Sequence, residues 1–266
     1  MTVHIIDANN YIRRAFERGE TITQMVQQNP AELHIWVFDG IGAKKPRLKL
    51  YPEYKAKRNV QAAIDNGFYD FLRTVEREFL PYCGNTLVIK KDGLEADDII
   101  AALTNTYKGT HPILIHSNDA DFQALVCDTV KVTDRSKTLA HVEPKDIRLY
   151  KTLVGDSSDN IGGIEGFGKG KWDLLDEQDK AQWVQWFEGA FEDTPDWMGN
   201  MFPHKGLTKK PLEWMQVTQN QQLLQTYWKI VGFIPVNMAE LGDKCTLVGT
   251  YNSFKLQETL NKYLWN

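Results

Sequence analysis

Four short apolar runs, each bounded by polar residues, punctuate the first 155 residues: VHIID at 3–7, LHIWVFD at 33–39, TLVIK at 86–90 and PILIHS at 112–117. Their shortness and β-branched content predict buried strands. Between them the apolar positions follow helical spacing, which predicts helices over roughly 9–18, 67–80, 94–107 and 119–126. Strand and helix in alternation predict an α/β fold, a mainly parallel sheet flanked by helices. Such sheets bind ligands at the carboxyl ends of their strands.

After about residue 155 the pattern changes. DNIGGIEGFGKGKW (159–172) is rich in glycine, and helical segments follow, with seven of the eight tryptophans beyond residue 170. Their expected role is packing in a smaller helical region. The stretch 193–211 reads as a long connection. The expected organisation is therefore a core over 1–155 and a second, largely helical part over 156–266.

Polar residues at the strand ends give the first chemical signal. Asp7 closes the first run and Asp39 the second; Asp119 and Asp121 follow the fourth, and Glu95, Asp97 and Asp98 open the helix after the third. Any one of them could cap a helix, because a carboxylate there accepts from unpaired N–H groups and suits the helix dipole. Acids at four strand ends in succession are harder to explain one by one. With Asp156 and Asp159 they make nine carboxylates. On an ideal helix Glu95 and Asp98 share a face while Asp97 points elsewhere, so the three converge better if Glu95 precedes the helix.

Converging acids require cations, since uncompensated charge raises their pKa values. Oxygen-only donors suit hard ions such as Mg²⁺ or Mn²⁺. The histidines (4, 34, 111, 116, 141 and 204) show no HExxH-like spacing, and the three cysteines show no CxxC. Nine acids are enough for two ions roughly 4 Å apart, the arrangement suited to in-line displacement at a phosphodiester. No Walker loop is present. Haloacid-dehalogenase-type phosphatases need a second acid two residues after the first, and Asp7 is followed by Ala8 and Asn9.

The formal net charge of −4 argues against a nucleic-acid partner, but its distribution argues the other way. Lys44, Lys45, Arg47, Lys49, Lys55, Lys57 and Arg58 face only Glu53 in the same stretch. Such a surplus attracts phosphates. The odd number of scattered cysteines fits a reducing compartment, and the N-terminus does not read as a signal peptide. The expected location is the cytoplasm, that of a bacterial or phage-infected cell included.

GLEADD (93–98), SNDADF (117–122) and GDSSDNIGGIEGFG (155–168), with IDANN (6–10) and VFDG (37–40) in order, resemble the 5′-nuclease family. That family includes flap endonucleases, the 5′-nuclease domain of bacterial DNA polymerase I and phage 5′→3′ exonucleases; the likeness spans roughly residues 1–175. It implies a PIN-like 5′-nuclease core with a helix-hairpin-helix and a helical C-terminal region. It also implies a metal-dependent 5′→3′ exonuclease or 5′ flap endonuclease acting on DNA by a two-metal mechanism, and a role in DNA replication.

Carried over residue by residue, the resemblance makes Asp7, Asp39, Glu95, Asp97, Asp98, Asp119, Asp121, Asp156 and Asp159 the metal ligands. The GLEADD group and Asp119 would hold the ion nearer the chemistry, and Asp156 and Asp159 the second, partly through waters. YPEYKAKR (51–58) resembles the segment at the base of the family's helical arch, placing Lys55 and Arg58 at the scissile phosphate; with Asp119 they are the candidate catalytic residues. Lys44, Lys45, Arg47, Tyr51, Tyr54 and Lys57 would contact DNA, the tyrosines by stacking on a base or by packing. The basic arch would cover 44–66, shorter than one that a strand threads and closer to the phage exonucleases. The glycine stretch would grip duplex phosphates through Gly163, Gly166, Gly168, Lys169 and Lys171 and hold a K⁺, although Gly170 stands where the family usually has lysine. The expected partner is DNA with a 5′ end, nick or flap, or an RNA–DNA hybrid, bound by a monomer. A catalytically silent DNA-binding protein and a ribonuclease are the competing readings.

Overall fold

The computed structural model describes residues 1–26, 29, 31–58, 67–133, 139–189, 209–242 and 246–263. The chain forms two compact units, one of Met1–Pro46, Asn59–Thr138 and Ile234–Asn266, the other of Arg47–Arg58 and Leu139–Phe233. They do not part at the expected boundary between 155 and 156. Residues after Ile234 return to the first unit because a strand there pairs with the sheet edge, and residues 47–58 belong with the second. Residues 59–66 of the expected arch and 193–208 of the expected connection lie outside the described residues.

The first unit is built on β1 (Val3–Asp7), β2 (Leu33–Asp39), β3 (Thr86–Lys91), β4 (Ile113–His116), β5 (Val130–Val132) and β6 (Thr246–Val248), in the order β5-β4-β1-β2-β3-β6. Neighbours are parallel except β3 and β6. The sheet is the mainly parallel one expected, with an antiparallel edge. Helices α1 (Ala8–Glu17), α2 (Ile22–Met25), α4 (Phe68–Thr74), α5 (Ala96–Tyr107) and α11 (Ser253–Tyr263) flank it, and the split between units falls inside α3 (Lys45–Leu50).

Strand alternation sends Ile6, Trp36, Phe38 and Val88 to one face, where Ile12, Ala15, Met25, Phe68, Leu72, Val75, Phe79 and Leu80 complete a buried cluster. Ile5, Ile35, Val37 and Ile115 point the other way, and α5 contributes the buried Ile99, Ile100 and Leu103 against β1 and β2. The helix expected over 67–80 is α-helical only at Phe68–Thr74 and widens to a π turn at Val75–Phe79.

Gly40 follows Asp39 where the chain runs against the end of β3. A Cβ there would lie 1.9 Å from the Lys91 carbonyl oxygen, so no other residue fits. Its N–H donates to the Leu94 carbonyl (3.1 Å), fixing the residues just ahead of α5.

The second unit comprises residues 47–58 with α6 (Ile147–Val154), α7 (Lys169–Trp172), α8 (Glu177–Phe187), α9 (Lys209–Met215) and α10 (Thr218–Val231). Its core is aromatic, as the tryptophan distribution suggested: Trp183, Trp186 and Phe187 are buried together, and Phe187 stacks on Trp228 at 4.6 Å. Arg148 lies 3.8 Å over Trp228 and donates to that residue's carbonyl.

A carboxylate cluster at the strand ends as candidate active site

In the first unit the strand ends are bound together by side chains. Asp7, the last residue of β1, is 5% exposed. Its Oδ2 accepts the Ser117 hydroxyl at 2.8 Å, and its Oδ1 accepts the Asn10 N–H at 3.3 Å as the N-cap of α1. The Ser117 oxygen also accepts the Asp119 N–H at 3.1 Å, and Asp119 Oδ1 accepts the Asp121 N–H at 3.0 Å. Asn10 and Asn118 exchange two hydrogen bonds, of 2.8 and 3.3 Å. Asn9 accepts the Asp39 N–H at 3.2 Å. Asp39 Oδ1 accepts the Ala96 N–H, at the start of α5, at 2.8 Å. Carboxylates of this unit thus serve helix starts, where the dipole favours them.

Glu95 is the N-cap of α5, extended at φ −76° and 4% exposed, and so stands ahead of the helix. Asp97 is half-buried in the first turn. Asp98 is 1% exposed, and its Oδ1 accepts the Ile234 N–H at 2.8 Å. One of its oxygens therefore holds the returning chain.

The charge balance shows in Asp7. Burial raises its carboxyl pKa; the Ser117 hydrogen bond opposes that, while the Asp39 and Asp119 charges raise it again. The outcome is about 7.

In the second unit the acids have cations. Asp156 Oδ2 lies 2.8 Å from the Lys151 ammonium, and its Oδ1 accepts both the N–H and the hydroxyl of Ser158. Burial raises the Asp156 carboxyl, but Lys151 and Ser158 outweigh it and leave it below the usual range. Asp159 is 3.1 Å from Arg58 and 4.0 Å from Lys55. Burial holds its carboxyl above the usual range despite those two cations.

The expected DNA-contacting residues divide. Lys44 is half-buried and Lys45 exposed in the first unit; Lys57, Arg58 and Lys169 are exposed in the second. Arg47 is 4% exposed, and its guanidinium donates to the Ile230 and Gly232 carbonyls, so it lies inside its unit and off the basic surface. Tyr54 is buried with Lys55 4.7 Å over its ring, and Tyr51 packs edge-on against Tyr227. Both tyrosines pack. Gly163, at φ +65°, has the Leu153 carbonyl and the Gly155 nitrogen where a Cβ would stand, both at 2.6 Å. Gly166 and Gly168 are exposed, Lys171 is half-buried, and Lys169 pairs with Asp173.

Asn9, Asn10, Ser117 and Asn118 are the site residues that the acid pattern missed, though they sit inside IDANN and SNDADF. Asn160 is likewise within GDSSDN. Lys151, on α6, had no signal in the sequence.

The sequence matches the family profile described as 5′-3′ exonuclease, N-terminal resolvase-like domain, over residues 17–151. The 5′-3′ exonuclease of Mycoplasmopsis pulmonis is 31% identical over 183 residues, 63% of this chain and 58% of that protein. DNA polymerase I of Treponema pallidum is 39% identical over 132 residues, 44% of this chain and 13% of that protein. The chain thus spans less than two thirds of the length of these relatives. A phage T5 protein co-crystallised with metal ions matches in fold with a TM-score of 0.66 at 18% identity, over 100% of this chain and 99% of that one. With the profile covering half the chain, the protein belongs to the 5′-3′ exonucleases of the 5′-nuclease family.

Proposed function

We propose that the chain is a divalent-metal-dependent nuclease that hydrolyses DNA phosphodiesters at or near a 5′ end. The observation that carries this reading is the set of acids at the strand ends: buried Asp7 shares the Ser117 hydroxyl oxygen with the Asp119 N–H, Asp39 holds the start of α5 beside Glu95, and the Asp39 and Asp119 charges act with burial to raise the Asp7 pKa. Acids that raise one another's pKa and offer oxygen donors fit a hard cation such as Mg²⁺ or Mn²⁺. Asp7, Asp39, Glu95, Asp97, Asp98, Asp119 and Asp121 are the residues of the first unit that would hold one ion. Asp156 and Asp159 of the second would serve another. When bound, such ions lower the pKa of a water and neutralise the leaving oxygen.

The chain's own residues do the rest. Ser117 and Asn10 direct hydrogen-bond donors at Asp7, favouring its ionised form and fixing its orientation. Lys55 and Arg58 supply positive charge at the scissile phosphate. Lys44, Lys45 and Lys57 attract the backbone, and the 155–171 stretch offers backbone N–H groups to duplex phosphates, with a K⁺ among them. The 5′-3′ exonuclease and DNA polymerase I relatives, and the metal ions with which the T5 protein was co-crystallised, support the reading.

The test is product mapping on 5′-labelled flap, nicked and blunt duplexes with Mg²⁺, each made with a DNA, RNA or hybrid labelled strand. Short 5′ products from DNA are expected. Binding without cleavage in both Mg²⁺ and Mn²⁺ contradicts the proposal, and cleavage confined to RNA contradicts its substrate class.

A further inference from the structure

Within the second unit, the turn 156–161 and the basic segment 51–58 are joined at Asn160 and at Asp159 before it. Asn160 is left-handed at φ +62°, a conformation that asparagine tolerates better than most residues. Its Nδ2 donates to the Glu53 carbonyl at 3.0 Å, and its own carbonyl accepts the Tyr51 hydroxyl at 3.2 Å. The preceding residue completes the join. The Asp159 carbonyl accepts the Lys55 N–H at 3.1 Å, and its carboxylate meets Arg58 and Lys55. Lys55 is itself left-handed at φ +56°, which a lysine keeps only where its surroundings impose it.

The bland explanation is that Asn160 merely satisfies its own turn. That turn closes without the side chain: Asp156 and Ile161 exchange backbone hydrogen bonds of 2.9 and 2.8 Å, and Ser158 donates to Asp156. The Asn160 amide instead reaches a segment 107 residues earlier in the chain. We infer that Asn160 is a positioning residue, which fixes the 51–58 segment so that Lys55 and Arg58 stand ready for the phosphate. The inference rests on the reading of Lys55 and Arg58 given above.

Asn160→Asp keeps the size and the left-handed tolerance but puts an acceptor against the Glu53 carbonyl. Asn160→Gly keeps the backbone and deletes the amide. In the full chain, the Lys55 amide is expected to exchange hydrogen about 10-fold faster or more in both variants. Single-turnover cleavage of a 5′-flap DNA should fall about 10- to 100-fold, with affinity within about 3-fold of wild type. In a Lys55→Ala/Arg58→Ala background, Asn160→Asp should cost less than about 2-fold more. Wild-type exchange at Lys55, equal losses in rate and affinity, or a loss fully additive with the double variant would each overturn the inference. Should one variant fail to fold by its melting curve, the other decides. If the wild type does not cleave, the functional reading fails, while the exchange data still decide whether Asn160 fixes the segment.

Discussion

The Ser117 hydroxyl donates to Asp7 Oδ2 at 2.8 Å, linking the end of β1 to the residue after β4 across 110 positions of sequence. The same oxygen accepts the Asp119 N–H. One small side chain therefore spaces two acids of the candidate site and offsets part of the rise in the Asp7 pKa. A hydrogen bond to an ionised group contributes about 1.5–3 kcal/mol, too little to cancel burial and two neighbouring charges.

That imbalance predicts how stability follows pH when no metal is added. A carboxyl whose folded pKa is raised keeps its proton longer in the folded state than in the unfolded one. Stability is thus favoured at low pH and lost as pH rises from about 3.8 to about 7. Asp7→Asn removes the charge, so its Tm at pH 8 should exceed wild type by about 3 °C or more, with little difference at pH 4. Millimolar Mg²⁺ should raise the wild-type Tm at pH 8 and leave that of the variant nearly unchanged. Melting curves at both pH values, with and without Mg²⁺, check this.

On the β1–β2–β4 face, His116 behaves in the opposite sense. Its Nε2 lies 2.8 Å from His4 Nδ1, His4 meets Glu32 at 2.9 Å, and His4 stacks on His34 at 4.6 Å. Burial, then His4, His34 and Arg14, push the His116 pKa down to about 4. Stability from its neutral form is present above about 6.5 and is lost as pH falls towards 4, a loss of about 3 kcal/mol. His116→Gln keeps a hydrogen-bonding partner for His4 and should melt closer to its neutral-pH Tm at pH 4.5 than wild type does. Denaturant titrations at pH 7.5 and 4.5, read as the difference between variant and wild type, cancel the contribution of Asp7.

Lys151 is 6% exposed and paired with Asp156 at 2.8 Å. Removing one member of a buried pair leaves a charge without compensation, a loss of about 3–5 kcal/mol. Lys151→Met should therefore lower the unfolding free energy by about that amount, and adding Asp156→Asn should recover at least half of it. Urea titration of the three proteins measures both steps.

Much of the sheet was legible because its first four strands are continuous apolar runs, and their acid ends follow from where those runs stop. β6 was not legible. Thr246–Val248 is three residues long, Leu247 and Val248 are exposed, and only its pairing with Leu87–Ile89 makes it a strand. The acid positions were readable, but the neutral residues that orient them were not. Asn10 with Asn118, and Ser117 with Asp7, join motifs more than 100 positions apart, and nothing local in either motif marks the pairing. Arg47 shows the converse. In a run of lysines it reads as a DNA contact, yet carbonyls at Ile230 and Gly232, more than 180 positions away, give it a buried partner set.

The central claim, that the strand-end acids form a metal-dependent nuclease site, is tested most directly by one paired assay. Wild type and Asp119→Ala are incubated with a 5′-labelled flap DNA over a Mg²⁺ titration, with the Tm of each recorded to establish folding. Wild type should release short 5′ products that depend on Mg²⁺, and a folded Asp119→Ala should lose about 10³-fold or more of that cleavage. Cleavage by Asp119→Ala at the wild-type rate, or wild-type cleavage that persists undiminished in excess chelator, would contradict the claim.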